Sequence, residues 1–538
     1  MLTSLLFLFA AAAEPPDTVV VCPKEFVAAL APWLQHREAQ GHSIEILPNT
    51  KTPTQLRESI REIARGGKLR FVLLVGDADP RAENDSTFAR TCVPTHKAAA
   101  KVNVKWGSEP EIATDNWYAD LDDDQIPELA IGRLTADNRE ELAVMIRKII
   151  EYEKNPDFGP WRRQVNFIAG VGGFGQLADS VLEGATKKFL TDGIPPAFQT
   201  SMTYGSWRSP FCPDPRRFHN TTVNRFNEGC LFWVYIGHGQ RTLLDRIYVP
   251  GSAYHILDVD DVQKLDHRGR PPIAIFLSCY SGAFDGVHDC LGEELIRSPA
   301  GPVAVLSGSR VTMPYAMAIM GNELINNYFT AHSETLGEAL LASKQKLAAA
   351  GKSDDAASNQ SNRQLLDAVA KVMSPDPESL EEERREHLLL FNLLGDPLLK
   401  LSHPETVQIQ VPENVYAGDS LKVSLKSTVA GECIVDLVYR RDRMKETPPV
   451  REYYDGRDRI LTAYNDVYQQ ANNGSCYMHQ FRCEAGECQI QFDVPAEARG
   501  NCHVRAYIQG TGQYSLGSAD VFVRKPLIAA SVSELPKR

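Results

Sequence analysis

Residues 230–244 read CLFWVYIGHGQRTLL. Cys230 to Ile236 form an unbroken apolar run that ends in Gly-His-Gly and then turns polar. A short apolar run bounded by glycine is what a strand buried on both faces requires. Such a strand has no packing use for His238, an ionisable ring held between Gly237 and Gly239 at its end. Further along, residues 271–286 read PPIAIFLSCYSGAFDG, a second apolar strand that ends in Cys279 and small residues. Taken alone, Cys279 would read as an inert core thiol. Taken together, two successive core strands each deliver one member of a His/Cys pair to their carboxyl ends. In a parallel sheet those ends lie side by side, where ligands bind. A thiol needs a neighbouring acid or base for acyl chemistry, and His238 supplies one. Gly239, with no Cβ, lets its N–H approach a substrate carbonyl and donate to a developing oxyanion.

The rest of the chain fits that sheet. Strand-like TVVVCP (18–23), SIEIL (43–47), RFVLLVGDAD (70–79), ELAIGRL (128–134) and QVNFIAG (164–170) alternate with helical EFVAALAPWLQHREAQG (25–41), PTQLRESIREIARGG (53–67) and NREELAVMIRKIIEYEK (138–154). This alternation predicts an α/β sandwich around a largely parallel sheet from about residue 17 to 402. Pro156, Gly159 and Pro160 mark a seam between two α/β halves. After residue 402 the pattern becomes short apolar/polar alternations with turn residues between them, as in TVQIQVPENVYAGDSLKVSLKS (406–427), which predicts an appended β-sandwich.

Composition narrows the function classes. With 43% hydrophobic and 23% charged residues the 538-residue chain is that of a folded protein with more than one core, and its net charge of −12 argues against nucleic acid or an anionic membrane as general partner. The opening MLTSLLFLFAAAAEPPD reads as an export leader cut after Ala13, and no later stretch is long and apolar enough to span a bilayer. The expected location is secreted or extracytoplasmic. The eleven cysteines suit an oxidising compartment, and Cys433, Cys476, Cys483, Cys488 and Cys502 are expected in disulfides rather than in a zinc site, since their spacing matches no common finger.

Two further motifs have plainer explanations. Gly170, Gly172 and Gly175 have dinucleotide-fingerprint spacing between a strand and a helix, but no acidic residue ends the next strand to hold a ribose; a tight turn accounts for them, and no organic cofactor is expected. Asp120, Asp122 and Asp124, with Glu128 following, offer hard oxygen donors suited to Ca²⁺. The EF-hand pattern fails there, because Ile131 stands where the bidentate Glu belongs, and a solvated acidic turn is the competing explanation.

The His-Gly strand end followed by a Cys strand end resembles the caspase-like cysteine peptidases, and the surrounding text resembles the gingipain family (peptidase family C25). The resemblance is carried by DNWYADLDDDQIPELAIGRL (115–134), YIGHGQ (235–240), SCYSGAFD (278–285), GPVAVLSGSR (301–310) and FNLLGDPLL (391–399), in unbroken order from about residue 18 to 402. It implies a leader (1–13), a caspase-like α/β sandwich in two subdomains (14–158 and a catalytic 159–402), an immunoglobulin-like β-sandwich (403–525) and a tail (526–538). It implies a cysteine endopeptidase acting on protein or peptide substrates, with Cys279 as nucleophile, His238 as acid/base, Glu128 orienting the histidine, and the Gly239 and Cys279 N–H groups as oxyanion hole. The family also binds calcium, which favours a structural Ca²⁺ at the Asp120–Asp124 turn, with Asp120, Asp122 and Asp124 as candidate ligands and the coordinating atoms left open. Ser278 and Gln240 depart from the family's Ala and Ser, and no long pro-segment separates the leader from the first strand. A sortase-like transpeptidase and a non-catalytic surface-binding protein are the alternatives. Asp245, Asp285 and Asp289 are candidates for reading the residue before the cut.

Overall fold

The computed structural model describes residues 15–154, 157–171, 193–349, 368, 370–371 and 376–525. The leader, the tail, and Gly172 and Gly175 lie outside these residues. Among the described residues, ten strands form one continuous sheet, in the order Ile44–Leu47, Thr18–Val21, Phe71–Val75, Ala130–Leu134, Phe391–Leu394, Ala304–Gly308, Ile273–Leu277, Phe232–Ile236, Gln164–Ala169 and Gln199–Tyr204. Its inner strands 18–21, 71–75, 273–277 and 304–308 are buried on both sides because both sides are covered. Val20, Leu73 and Val75 join the main core with Trp33, while Val19, Val21, Val72 and Leu74 face the other way onto Leu56 and Ile60.

The expected parallel sheet is two parallel sets facing opposite ways. Strand 391–394 runs parallel to 130–134 but antiparallel to 304–308, and the reversal happens at that single boundary. The fully buried Arg133 guanidinium fastens this middle region: it donates to both Asp115 carboxylate oxygens (2.7 and 2.8 Å) and to the Gly76 and Val93 carbonyls (3.0 and 2.8 Å). Asp115 N–H in turn donates to Asn392 Oδ1 (3.0 Å), which ties the cluster to the reversing strand.

The C-terminal region packs two sheets over one core, as the alternating pattern predicts. Strand Ser420–Ser427 turns Leu421, Val423 and Leu425 inward against Val435, Leu437, Val504 and Ala506 of the larger sheet. One element breaks the expected all-β reading: helix Asp458–Asn472 interrupts the sandwich and packs on edge strand 199–204. Asn472 imitates a strand partner there, its amide accepting from Met202 N–H (2.7 Å) and donating to Met202 O (3.0 Å). An edge covered in this way is closed to pairing with another chain. The C-terminal cysteines expected in disulfides carry free thiols, with Cys476 beside Cys502, and Cys483 beside Cys433 and Cys488.

Removing one partner of a buried ion pair strands the other charge. Arg133→Met is therefore expected to lower the unfolding free energy by about 3–5 kcal/mol, measured by denaturant titration. A change below about 1 kcal/mol, the level of an exposed pair, would show that the cluster does not hold the middle of the sheet.

Candidate active site

The site is built by strand register. Strands 232–236 and 273–277 are parallel neighbours with Ile236 opposite Leu277, so His238 and Cys279 each stand two residues past that last pair. Gly237 N–H continues the ladder to Leu277 O (3.3 Å). The chain then folds into a hairpin that pairs Gly239 with Leu244. Its two hydrogen bonds run from Gln240 N–H to Leu243 O (2.8 Å) and from Asp245 N–H to His238 O (3.2 Å). Gly239 is thus the non-hydrogen-bonded member of its pair, with its own N–H directed away from the hairpin. A Cβ at Gly239 would lie 2.5 Å from Cys279 O and 2.9 Å from Ser278 Oγ. Only glycine lets the two loops approach this closely.

Cys279 is half-buried, and its sulfur accepts a hydrogen bond from Thr312 N–H (3.3 Å) with the Thr312 hydroxyl 3.6 Å away. The same sulfur lies 3.6 Å from Thr312 O, so the residue after strand 304–308 fixes where the thiol sits. The next residue, Tyr280, has φ 56°, a left-handed conformation that costs a bulky side chain about 1–3 kcal/mol. It is held there by its hydroxyl on Glu109 Oε2 (2.8 Å) and its N–H on Arg310 O (3.2 Å). Arg310 also clasps Asp285 through two bonds (2.8 and 2.5 Å). Burial alone would raise the Asp285 carboxyl; Arg310, with Arg241 beside it, holds it below the ordinary range. Arg241 joins the two loops directly, donating to Ala283 O and accepting from Leu291 N–H (2.7 Å).

Not every expected residue comes to this point. Glu128 does not reach the imidazole, and its assignment as the orienting acid is corrected. It precedes strand 130–134, four strand intervals from the His238 strand, or about 19 Å at ~4.8 Å per interval. Its carboxylate accepts instead from Leu121 N–H (2.6 Å). Among the described residues, Asp245 shares the hairpin with His238, its N–H donating to His238 O (3.2 Å); burial raises its carboxyl, and the Arg246 N–H and His238 oppose that rise. Asp285 and Asp289 are occupied by Arg310 and Arg297. Thr312 and Asp245's place beside the histidine were not foreseen. The strand-end rule that marks His238 and Cys279 marks Thr312 too, since it follows strand 304–308.

In the acidic turn, Asp120, Asp122 and Glu128 bring one carboxylate oxygen each within 4.8 Å of one another, and Asp124 does not join them. Asp120 accepts from Asp123 and Gln125 N–H (2.8 and 3.2 Å), and Arg57 pairs with both Asp120 and Asp123. Burial, with the neighbouring Asp charges, raises the Glu128 carboxyl above its ordinary range. These groups fit a hard cation in part: three oxygens converge, but Asp120 is already shared with an arginine. Gly170 needs no ligand to explain it, because a Cβ there would meet Tyr235 Oη at 3.0 Å.

Comparison with known proteins agrees with this architecture. The profile of Peptidase family C25 matches residues 11–402. Gingipain R2 of Porphyromonas gingivalis (strain ATCC BAA-308 / W83) is 22% identical over 416 residues, 74% of this chain and 48% of its own length. Lys-gingipain W83 of Porphyromonas gingivalis is 22% identical over 297 residues, 53% of this chain and 15% of its own. The chain thus spans about half the length of the gingipain R2 it matches. Among solved structures, the Arg specific cysteine proteinase gingipain R superposes with a TM-score of 0.53 at 16% identity, covering 95% of this chain and 98% of that one. The shared fold is the expected caspase-like α/β sandwich, and with nearly three-quarters of its length matched by the family profile, the chain belongs to peptidase family C25.

Proposed function

We propose that this protein is a cysteine endopeptidase, exported from the cytoplasm by its apolar leader, that cleaves protein or peptide substrates through Cys279 and His238. The observation that carries the reading is the Ile236/Leu277 register, which puts thiol and imidazole at adjacent strand ends. The Cys279 thiolate, positioned by the Thr312 N–H, attacks the scissile carbonyl carbon and forms the C–S bond. The oxyanion of the tetrahedral intermediate lies toward the N–H groups of Gly239 and Cys279. His238 gives its proton to the departing amine as the C–N bond breaks, leaving an acyl-enzyme. His238 then takes a proton from water, which attacks the thioester, releases the acid and restores the thiol. Asp245 stabilises the imidazolium. A calcium ion held by Asp120, Asp122 and Glu128 would support the turn ahead of strand 130–134 and takes no part in these steps.

A peptide carrying an electrophilic carbonyl is expected to label Cys279 alone among the eleven cysteines, as read by peptide mass spectrometry. His238→Ala is expected to slow labelling about 10²–10⁴-fold; equal rates would remove His238 from the mechanism. Gly239→Ala forces the two loops apart and is expected to lower stability by about 1–3 kcal/mol and reactivity about 100-fold. Calcium is expected to raise the melting temperature of the parent but not of Glu128→Gln. The same rise in both would take the ion away from this turn.

A further inference from the structure

Beside the hairpin that follows His238 lies a cluster the peptidase reading does not use. His219 comes from helix Phe218–Asn227, His255 ends strand Ser252–His255, and Asp261 lies in the turn Val259–Lys264. One donor atom from each lies within 4.8 Å of the other two. The imidazoles stack with centroids 4.6 Å apart and planes inclined by 28°. His255 Nε2 is 3.2 Å from Asp261 Oδ2 and 3.8 Å from Asp258 Oδ2. Asp261 is buried, its side chain 1% exposed, while His255 is 37% exposed, so the cluster opens to solvent on one side.

The plain reading is an ion pair between His255 and Asp261, reinforced by Lys264 Nζ on the other carboxylate oxygen (2.6 Å). That reading leaves His219 unexplained. It has no hydrogen-bonded partner of its own among the described residues, yet it lies against a second imidazole and faces the same carboxylate.

We propose that His219, His255 and Asp261, with Asp258 as a fourth donor, bind a zinc-class divalent transition-metal ion. Two imidazole nitrogens with carboxylate oxygen are borderline donors, which suit Zn²⁺ and its neighbours rather than the all-oxygen preference of Ca²⁺. Tetrahedral coordination at Zn–N ~2.05 Å needs donors about 3.3 Å apart. Reaching that spacing requires rotation of the side chains and release of the Lys264 ammonium from Asp261. The bound ion joins helix 218–227, which leads into the His238 strand, to the chain returning from the hairpin. That returning chain lies directly beside the catalytic loop, with Ile256 N–H on Asp245 O (3.1 Å), Leu244 N–H on Leu257 O (2.8 Å) and Val259 N–H on Thr242 O (3.0 Å). Metal binding thus fixes the hairpin that presents Asp245 to His238.

The test uses the full chain as Cys279→Ala, which removes the catalytic thiol as a competing ligand. Zn²⁺ alone is titrated while the melting temperature is followed, and Co²⁺ replaces it for visible absorption. The expected result is a rise in melting temperature saturating near one equivalent, with the intense d–d bands of a four-coordinate Co²⁺ site. His219→Ala and His255→Gln should keep the metal-free melting temperature and weaken binding more than tenfold. No metal-dependent rise in the parent, or a rise unchanged by both substitutions, would overturn the assignment.

Discussion

The site depends on one constraint, the parallel pairing of strands 232–236 and 273–277 in a register that ends both at the same level. Neither strand can slip. Each is flanked by another strand, and their side chains are buried on both faces, so a one-residue shift would exchange every buried position between two filled cores. The rigidity of His238 and Cys279 is therefore inherited from apolar packing rather than from contacts in the site. What the loops add is closeness: Gly239 removes the Cβ that would collide with Cys279 O, and the Arg241 and Arg310 guanidiniums hold the two turns together. Tyr280 stores local strain that the surrounding bonds over-determine, a common way of presenting a reactive side chain.

The second organising feature is the reversal at strand 391–394. It turns the N-terminal set of strands over, so that their amino ends share an edge with the carboxyl ends that bear His238 and Cys279. The acidic turn and Glu128 thus lie on the same edge of the sheet as the dyad but four strand intervals along it. Sharing an edge does not bring a group to the site. Among the described residues, the carboxylate on the His238 hairpin itself is Asp245, whose N–H donates to His238 O.

Much of this was legible because the core strands are uniformly apolar: FWVYI and IAIFL permit little else than a doubly covered sheet, and the reactive residues stand out against them. The misplacement of Glu128 has a physical source, since the matching motif says which residues precede a strand but not how many strands will lie between that strand and the one bearing His238. The helix at 458–472 was missed although Leu461, Tyr464 and Tyr468 recur at helical spacing, because strands surround it on both sides. Cysteine count and spacing suggested disulfides where the structure has free thiols in two groups. Thr312 carries its information in its backbone N–H, which side-chain identity does not reveal.

The most direct test of the account is turnover of a fluorogenic peptide library, varied at the residue before the cut, by the mature chain and by its Cys279→Ala variant. The account expects cleavage by the parent, none by the variant, and the same fold in both by circular dichroism. Cleavage that survives Cys279→Ala would contradict it, because Cys279 is the thiol that the paired strand ends bring beside His238.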